Sequence, residues 1–220
     1  MRLAFLPNAA FAVLVLTSPA LADATRPGAV ALYLQAHGLY SLGQAAKDPL
    51  MVLTAARILH GLALTDTKRL PQPAETEPAE AEPAPIHPTP IAPPAAAAML
   101  DSARALDAGL TYSDLIDLVA REVPPQPKVL RVTASTLAPG HSEVWTLDFF
   151  GGTYGELAIL GDGAGNLNMV VTGADDTLIC LDKGSADAAF CGFALEENGY
   201  VTVTVTNAGT RADRYLLLTE

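Results

Sequence analysis

Hydrophobic period changes once along this 220-residue chain, at Pro124-Pro125, and that change dictates two kinds of structure in one polypeptide. Before it, apolar residues recur every three or four positions, the spacing of helices; after Pro127 they alternate with polar ones, the spacing of strands whose two faces differ. The expected fold class is α+β as separate units. A four-helix unit, built as two helical hairpins, precedes an antiparallel β-sandwich of jelly-roll-like form.

Residues 29–46 and 50–64 read as helices rich in Ala and Leu, joined so tightly at Lys47-Asp48-Pro49 that they must run antiparallel. Asp48 suits the N-cap, and Pro49 suits the first helical position, where its missing N–H has no intrahelical partner to lose. His37, Ser41, Gln44 and Lys47 form one narrow polar stripe on the first helix, and Thr54, Arg57 and His60 form another on the second. The rest of each cylinder is apolar and needs cover. Helices over 95–108 and 113–123 are expected to provide it, the first ending at Gly109, the second started by Thr111 or Ser113 and stopped by the proline pair. His37 and His60 have no Cys or acidic ligand on their stripes, so they read as solvated histidines.

Between the hairpins, 71–94 reads PQPAETEPAEAEPAPIHPTPIAPP, with Glu75, Glu77, Glu80 and Glu82 as its only charges. Proline fixes φ and removes backbone donors, so this stretch is expected to be a disordered, extended tether reaching up to about 3.1 Å per residue. No Arg or Lys lies within it to orient a proline-rich ligand, which favours a spacer over a recognition motif. The layout is then a signal peptide over 1–22, a helical hairpin over 23–70, the acidic Pro-rich linker over 71–94, a second hairpin over 95–123 and a β-sandwich over 128–220.

The signal assignment rests on Arg2, the apolar run 9–16 and the small-residue site Ala20-Leu21-Ala22 before Asp23. Pro7, Asn8 and Pro19 leave an apolar core far shorter than the roughly 20 residues that span a bilayer. Export to the periplasm or outside the cell is expected, with no stable membrane insertion after cleavage. Removing 1–22 takes away Arg2 and moves the formal charge from −11 to −12. A chain that acidic, without a Lys/Arg cluster, is no nucleic-acid binder, because such binding works by neutralising phosphates.

In the second half, candidate strands cover 129–136, 143–150, 156–160, 167–171, 177–182, 188–193, 200–206 and 214–219, separated by turns such as Pro139-Gly140, Gly151-Gly152 and Asn207-Ala208-Gly209. Val201, Val203 and Val205 are expected to point inward and Thr202, Thr204 and Thr206 outward, as are Trp145, Leu147 and Phe149 inward. The order Val144-Trp145-Thr146-Leu147-Asp148-Phe149, then Leu157-Ala158-Ile159-Leu160-Gly161-Asp162-Gly163, then Asn166-Leu167-Asn168-Met169-Val170-Val171, and finally Gly199-Tyr200-Val201-Thr202-Val203-Thr204-Val205 with Tyr215-Leu216-Leu217-Leu218 resembles the bacterial pre-peptidase C-terminal domain. That resemblance covers roughly the last ninety residues and implies a non-catalytic accessory sandwich of secreted proteins. Asn166 and Asn168 stand where that family usually carries aspartates.

Cys180 and Cys191 are the only cysteines, and in an exported protein they are expected to form a disulfide. A nucleophilic or redox cysteine would want a Cys-x-x-Cys spacing or basic neighbours, whereas Asp182 and Asp187 lie nearby in sequence. The loop Gly161-Asp162-Gly163-Ala164-Gly165-Asn166 runs into a strand instead of a helix and lacks the P-loop lysine, so its glycines are expected to serve a chain reversal. Asp162, Asn166, Asn168, Asp175 and Asp176 form a weak calcium candidate; the leading expectation is no cofactor.

No catalytic pattern emerges. Ser142 beside His141 sits in a turn with no nucleophile elbow, and Asp114 with Asp117 marks an exposed helix face. The expected function is a non-enzymatic interaction or accessory protein of the cell envelope, with a protein partner there, self-association being open to it. Glycan or peptide binding through the sandwich, or service to a secreted hydrolase, are the alternatives.

Overall fold

The computed structural model describes residues 27–74, 95–124, 126–163 and 165–220. The signal peptide expected over 1–22 and the tether residues 75–94 lie outside them. In chain order the elements are α1 (Ala29–Ala46), α2 (Pro49–His60), β1 (Leu62–Asp66), β2 (Gln72–Pro73), α3 (Ala96–Leu106), α4 (Ser113–Arg121), β3 (Lys128–Leu137), β4 (Ser142–Phe149), β5 (Tyr154–Gly161), β6 (Leu167–Thr172), β7 (Leu178–Asp182), β8 (Ala188–Ala194), β9 (Gly199–Asn207) and β10 (Asp213–Thr219). The class is α+β, four helices and then two largely antiparallel sheets.

Asp48 caps α2 as its sequence requires: its carboxylate accepts from the amides of Leu50 at 2.8 Å and Met51 at 3.1 Å, and Pro49 takes the first turn. Where α1 and α2 meet, a Cβ on Gly43 would come within 2.8 Å of Val52 Cγ2, so the close approach of the two helices depends on that glycine. α4 is started by neither expected cap. Asp107, 5 % exposed, accepts from the amides of Thr111 at 3.0 Å and Tyr112 at 2.8 Å and turns the chain into the helix from a distance.

The second helix is shorter than the period implied. It stops at His60, with the Gly61 amide bonded back to Ile58 O at 3.1 Å, and Leu62-Ala63-Leu64 becomes strand β1, parallel to β3 from Leu62↔Lys128 to Asp66↔Val132. Three apolar or small residues fit either period, and Gly61 decides the matter by ending the helix. The hairpin expected over 23–70 therefore closes at His60. The first residues of the expected tether also depart from it, since Gln72 and Pro73 pair with Val144 and Glu143 as β2. Proline is tolerated there because β2 is an edge strand.

One sheet runs β1-β3-β10-β5-β8 and the other β2-β4-β9-β6-β7. The segment 62–73 thus supplies one edge of each sheet. At the opposite side the edges are β8 and β7, and the Cys180–Cys191 disulfide ties one to the other across the sandwich, with Cα atoms 6.0 Å apart. Between the sheets lies one core, formed by Trp145, Leu147, Leu157, Ile159, Met169, Val201, Val203, Val205, Tyr215 and Leu217 among others. The alternation expected of β9 and β4 is what the structure shows.

A second core lies on the other face of the β10-containing sheet. Leu130, Val132, Ala158, Leu160, Leu216 and Leu218 pack there with Val30, Tyr33, Ala36, Leu53, Ala56, Met99 and Ile116 from the helices. The helices do pack on one another, and the sheet supplies the remaining cover that their apolar circumference demands. Leu216, Leu217 and Leu218 are all buried, because β10 is covered on both faces. Each such leucine removed from water contributes about 1.5–3 kcal/mol. Among the described residues, no helix is long and apolar enough to cross a membrane.

Candidate metal centre

β5 is antiparallel to both of its neighbours, β10 and β8. Its C-terminal end therefore lies beside two strand beginnings, and three carboxylates collect there. Asp162 follows the last residue of β5, Asp187 precedes the first residue of β8, and Asp213 opens β10. The register Tyr215↔Gly161 and Leu160↔Ala188 puts all three at one end of the sheet. One carboxylate oxygen from each lies within 4.8 Å of the others.

The surroundings hold these groups in place. Asp187 Oδ2 accepts from the Gly163 amide at 2.6 Å, and its backbone carbonyl accepts from the Gly161 amide at 2.6 Å. Asp213 Oδ1 lies 3.4 Å from the Asp162 amide, and Arg214 Nε donates to Asp162 Oδ2 at 3.3 Å, with both side chains largely shielded from solvent. A Cβ on Gly161 would overlap the Asp187 carboxylate, and one on Gly165 would overlap that of Asp213. Those two glycines let the loop backbone close over the acids, which is the local reason the sequence needs them.

Hydrogen bonding leaves part of the cluster unsatisfied. Asp213 is fully buried, and its Oδ2 has no hydrogen-bond donor; Asp187 Oδ1 is likewise buried without one. Burial first, then the adjoining Asp187, push the Asp213 carboxyl up to about 8. At neutral pH that leaves Asp213 largely protonated, so Asp162 and Asp187 against the Arg214 guanidinium carry one formal negative charge, and ionised Asp213 adds a second. Oxygen donors of this kind, without nitrogen or sulfur, suit a hard divalent cation.

Of the sequence-designated calcium residues, Asp162 belongs to this cluster. Asn166 and Asn168 each carry a buried side-chain oxygen without a partner, but Asn168 sits on β6 with Val170 and Thr172, on the face turned away from the inter-sheet core. Asp175 and Asp176 are not brought in. β6 runs away from the cluster and carries their turn roughly 20 Å off at about 3.3 Å per residue. There Asp175 accepts from the Thr177 hydroxyl at 2.7 Å and from its amide at 3.2 Å, and the hydroxyl bond holds the carboxyl below its ordinary range. Asp187 and Asp213 escaped sequence reasoning because they lie 25 and 51 residues beyond Asp162. The only local hint was an aspartate at the start of each following strand.

No family model and no curated protein matches the chain. Among solved structures, its β-rich part is similar to the pre-peptidase C-terminal domain of a collagenase from Bacillus anthracis, at 14 % identity over 40 % of this chain and 87 % of that one, with a TM-score of 0.36. It is also similar to a periplasmic inhibitor of g-type lysozyme from Aeromonas hydrophila, at 15 % identity over 41 % and 84 %, TM-score 0.32. A family two carbohydrate esterase from Cellvibrio japonicus is similar at 16 % identity over 39 % of this chain and 26 % of that one, TM-score 0.24.

Proposed function

We propose that this chain is an exported, non-enzymatic accessory protein of the cell envelope, in which the sandwich is a rigid platform and the helical layer docks a protein partner. The observation that carries this reading is an apolar strip on and beside α4. Leu115 and Leu118 share one side of the helix at 43 % and 65 % exposure, with Leu110 at 75 % before it and Val123 at 84 % after it. Ile116 and Val119 on the other side already fill the core, so the strip does nothing for the fold. Exposed apolar residues grouped in this way fit a protein interface better than a solvated surface.

The disulfide between the free sheet edges supports an oxidising destination, where such a bond persists. The test replaces Leu115 and Leu118 with Ser and compares in-cell cross-linking of the wild type and the variant. A cross-linked species lost in the variant, with unchanged thermal unfolding, supports docking through α4; cross-links that persist move the binding surface elsewhere.

One observation favours glycan recognition as a second reading. Tyr154, 43 % exposed, lies against the place a side chain on Gly192 would occupy, beside the 41 % exposed Phe190, on the outer face of the β5–β8 edge. Aromatic faces of that kind stack on sugar rings. A Tyr154→Ala variant with unaltered glycan binding would remove this reading.

A further inference from the structure

We propose that Asp162, Asp187 and Asp213 bind one calcium ion, which fastens the ends of β5, β8 and β10 together. The inference is independent of the docking function, since it concerns the opposite face of the fold's chemistry: a structural cation instead of a partner. Clustered acids alone do not make a site. The deciding observation is a pair of buried oxygens within the cluster, Asp213 Oδ2 on a fully buried side chain and Asp187 Oδ1, neither of which has a hydrogen-bond partner. An unpaired buried carboxylate oxygen is costly, and a bound cation removes that cost.

Donor type and charge point to calcium. The three carboxylate oxygens fall within 4.8 Å of one another, close enough for a single ion to meet all three. Magnesium demands a near-ideal octahedron and gives up its waters reluctantly, whereas calcium accepts the flexible, carboxylate-rich sets that separate loops provide. Arg214 pairs with Asp162, which leaves the carboxyl groups of Asp187 and Asp213 to meet a divalent ion. The loop that passes Gly165 over Asp213 also carries Asn166, whose Oδ1 is buried without a partner.

The test is a calcium titration of the chelator-treated, disulfide-intact protein, by calorimetry and by thermal unfolding. The expected result is one ion per chain and a rise in thermal midpoint of roughly 5–10 °C at calcium a hundredfold above its dissociation constant. Asp213→Asn and Asp187→Asn should each abolish the rise. Without calcium both should unfold near the wild-type midpoint, because Asn keeps the shape of the side chain it replaces. Asp175→Asn, outside the cluster, should respond as the wild type does. Absence of heat and of any midpoint shift in the wild type would overturn the proposal, as would an undiminished shift in Asp213→Asn. An equal rise with magnesium would overturn the assignment to calcium.

Discussion

Glu156, buried on β5, accepts hydrogen bonds from the amide of Gly28 at 2.8 Å and from that of Ala31 at 3.0 Å, so a carboxylate of the sandwich closes the N-terminus of the first helix. Glu220, after β10, accepts from the Ala29 amide beside it, and Lys128 Nζ donates to Pro27 O at 2.8 Å. Gly28 offers no side chain of its own to cap the helix. The orphan amides and the positive end of the helix dipole are therefore answered from another layer of the fold. This is a directional link between helices and sheet, added to the non-directional leucine contacts beneath it.

Replacing Glu156 with Ala should leave these amides without their acceptor and cost about 1–3 kcal/mol, the range for losing a buried charge-assisted hydrogen bond. Urea unfolding should report that loss, and hydrogen exchange should show it concentrated in the first turns of α1, with β5 still protected. Equal loss of protection across both sheets would contradict a role confined to docking.

The disulfide should matter through the unfolded chain. With the two cysteines 11 residues apart in sequence, replacing both with Ser should lower stability by roughly 2–3 kcal/mol. Reduction of the wild type should give a similar shift of the urea midpoint. Intact-mass measurement after alkylation should find no free thiol before reduction.

A polar chain crosses the inter-sheet core: Trp145 Nε1 donates to Tyr215 Oη at 2.8 Å, Tyr215 Oη donates to Glu143 Oε2 at 2.7 Å, and Ser135 Oγ donates to the same oxygen at 2.9 Å. Tyr215→Phe should cost about 1–3 kcal/mol, since it leaves the buried indole N–H unpaired. The single tryptophan reports on the change, and an unaltered fluorescence spectrum together with unaltered stability would contradict the chain's importance.

Tyr215 and Tyr33 should make the protein sensitive to alkali. Burial raises both phenols, and for Tyr215 the neighbouring Glu143 raises it further. Their unfolded value is about 10. A folded value above the unfolded one means that the folded chain holds the proton longer, so stability is complete below about pH 10 and falls as pH rises beyond it. Unfolding midpoints from about pH 8 to 11 should show that fall, and Tyr215→Phe should show a shallower one.

Much of the architecture was legible in local pattern. The run of strands after Pro127, the Asp48-Pro49 helix start and the Val201/Val203/Val205 alternation each express a preference of nearby backbone, and each is found in the fold, whereas β1 and β2 place strand before α3 and break the expected single change of period. Subtler was the uninterrupted Leu157-Ala158-Ile159-Leu160 and Tyr215-Leu216-Leu217-Leu218. Strands apolar at every position are covered on both faces, and the helices rest on these two together with Leu130 and Val132 of β3. The segment 62–66 was ambiguous because so short an apolar run suits either period.

What the amino-acid order determines alone is therefore what neighbours along the chain can enforce: where helix gives way to strand, which side chains face inward, and where proline forbids a ladder. The tertiary structure decided the rest. Asp162, Asp187 and Asp213 become neighbours only because an antiparallel β5 ends where β8 and β10 begin, and Glu156 meets Gly28 only because α1 lies across the sheet. Such meetings depend on strand order and layer stacking, which arise from the burial of many distant side chains together and leave no mark in any short stretch of sequence.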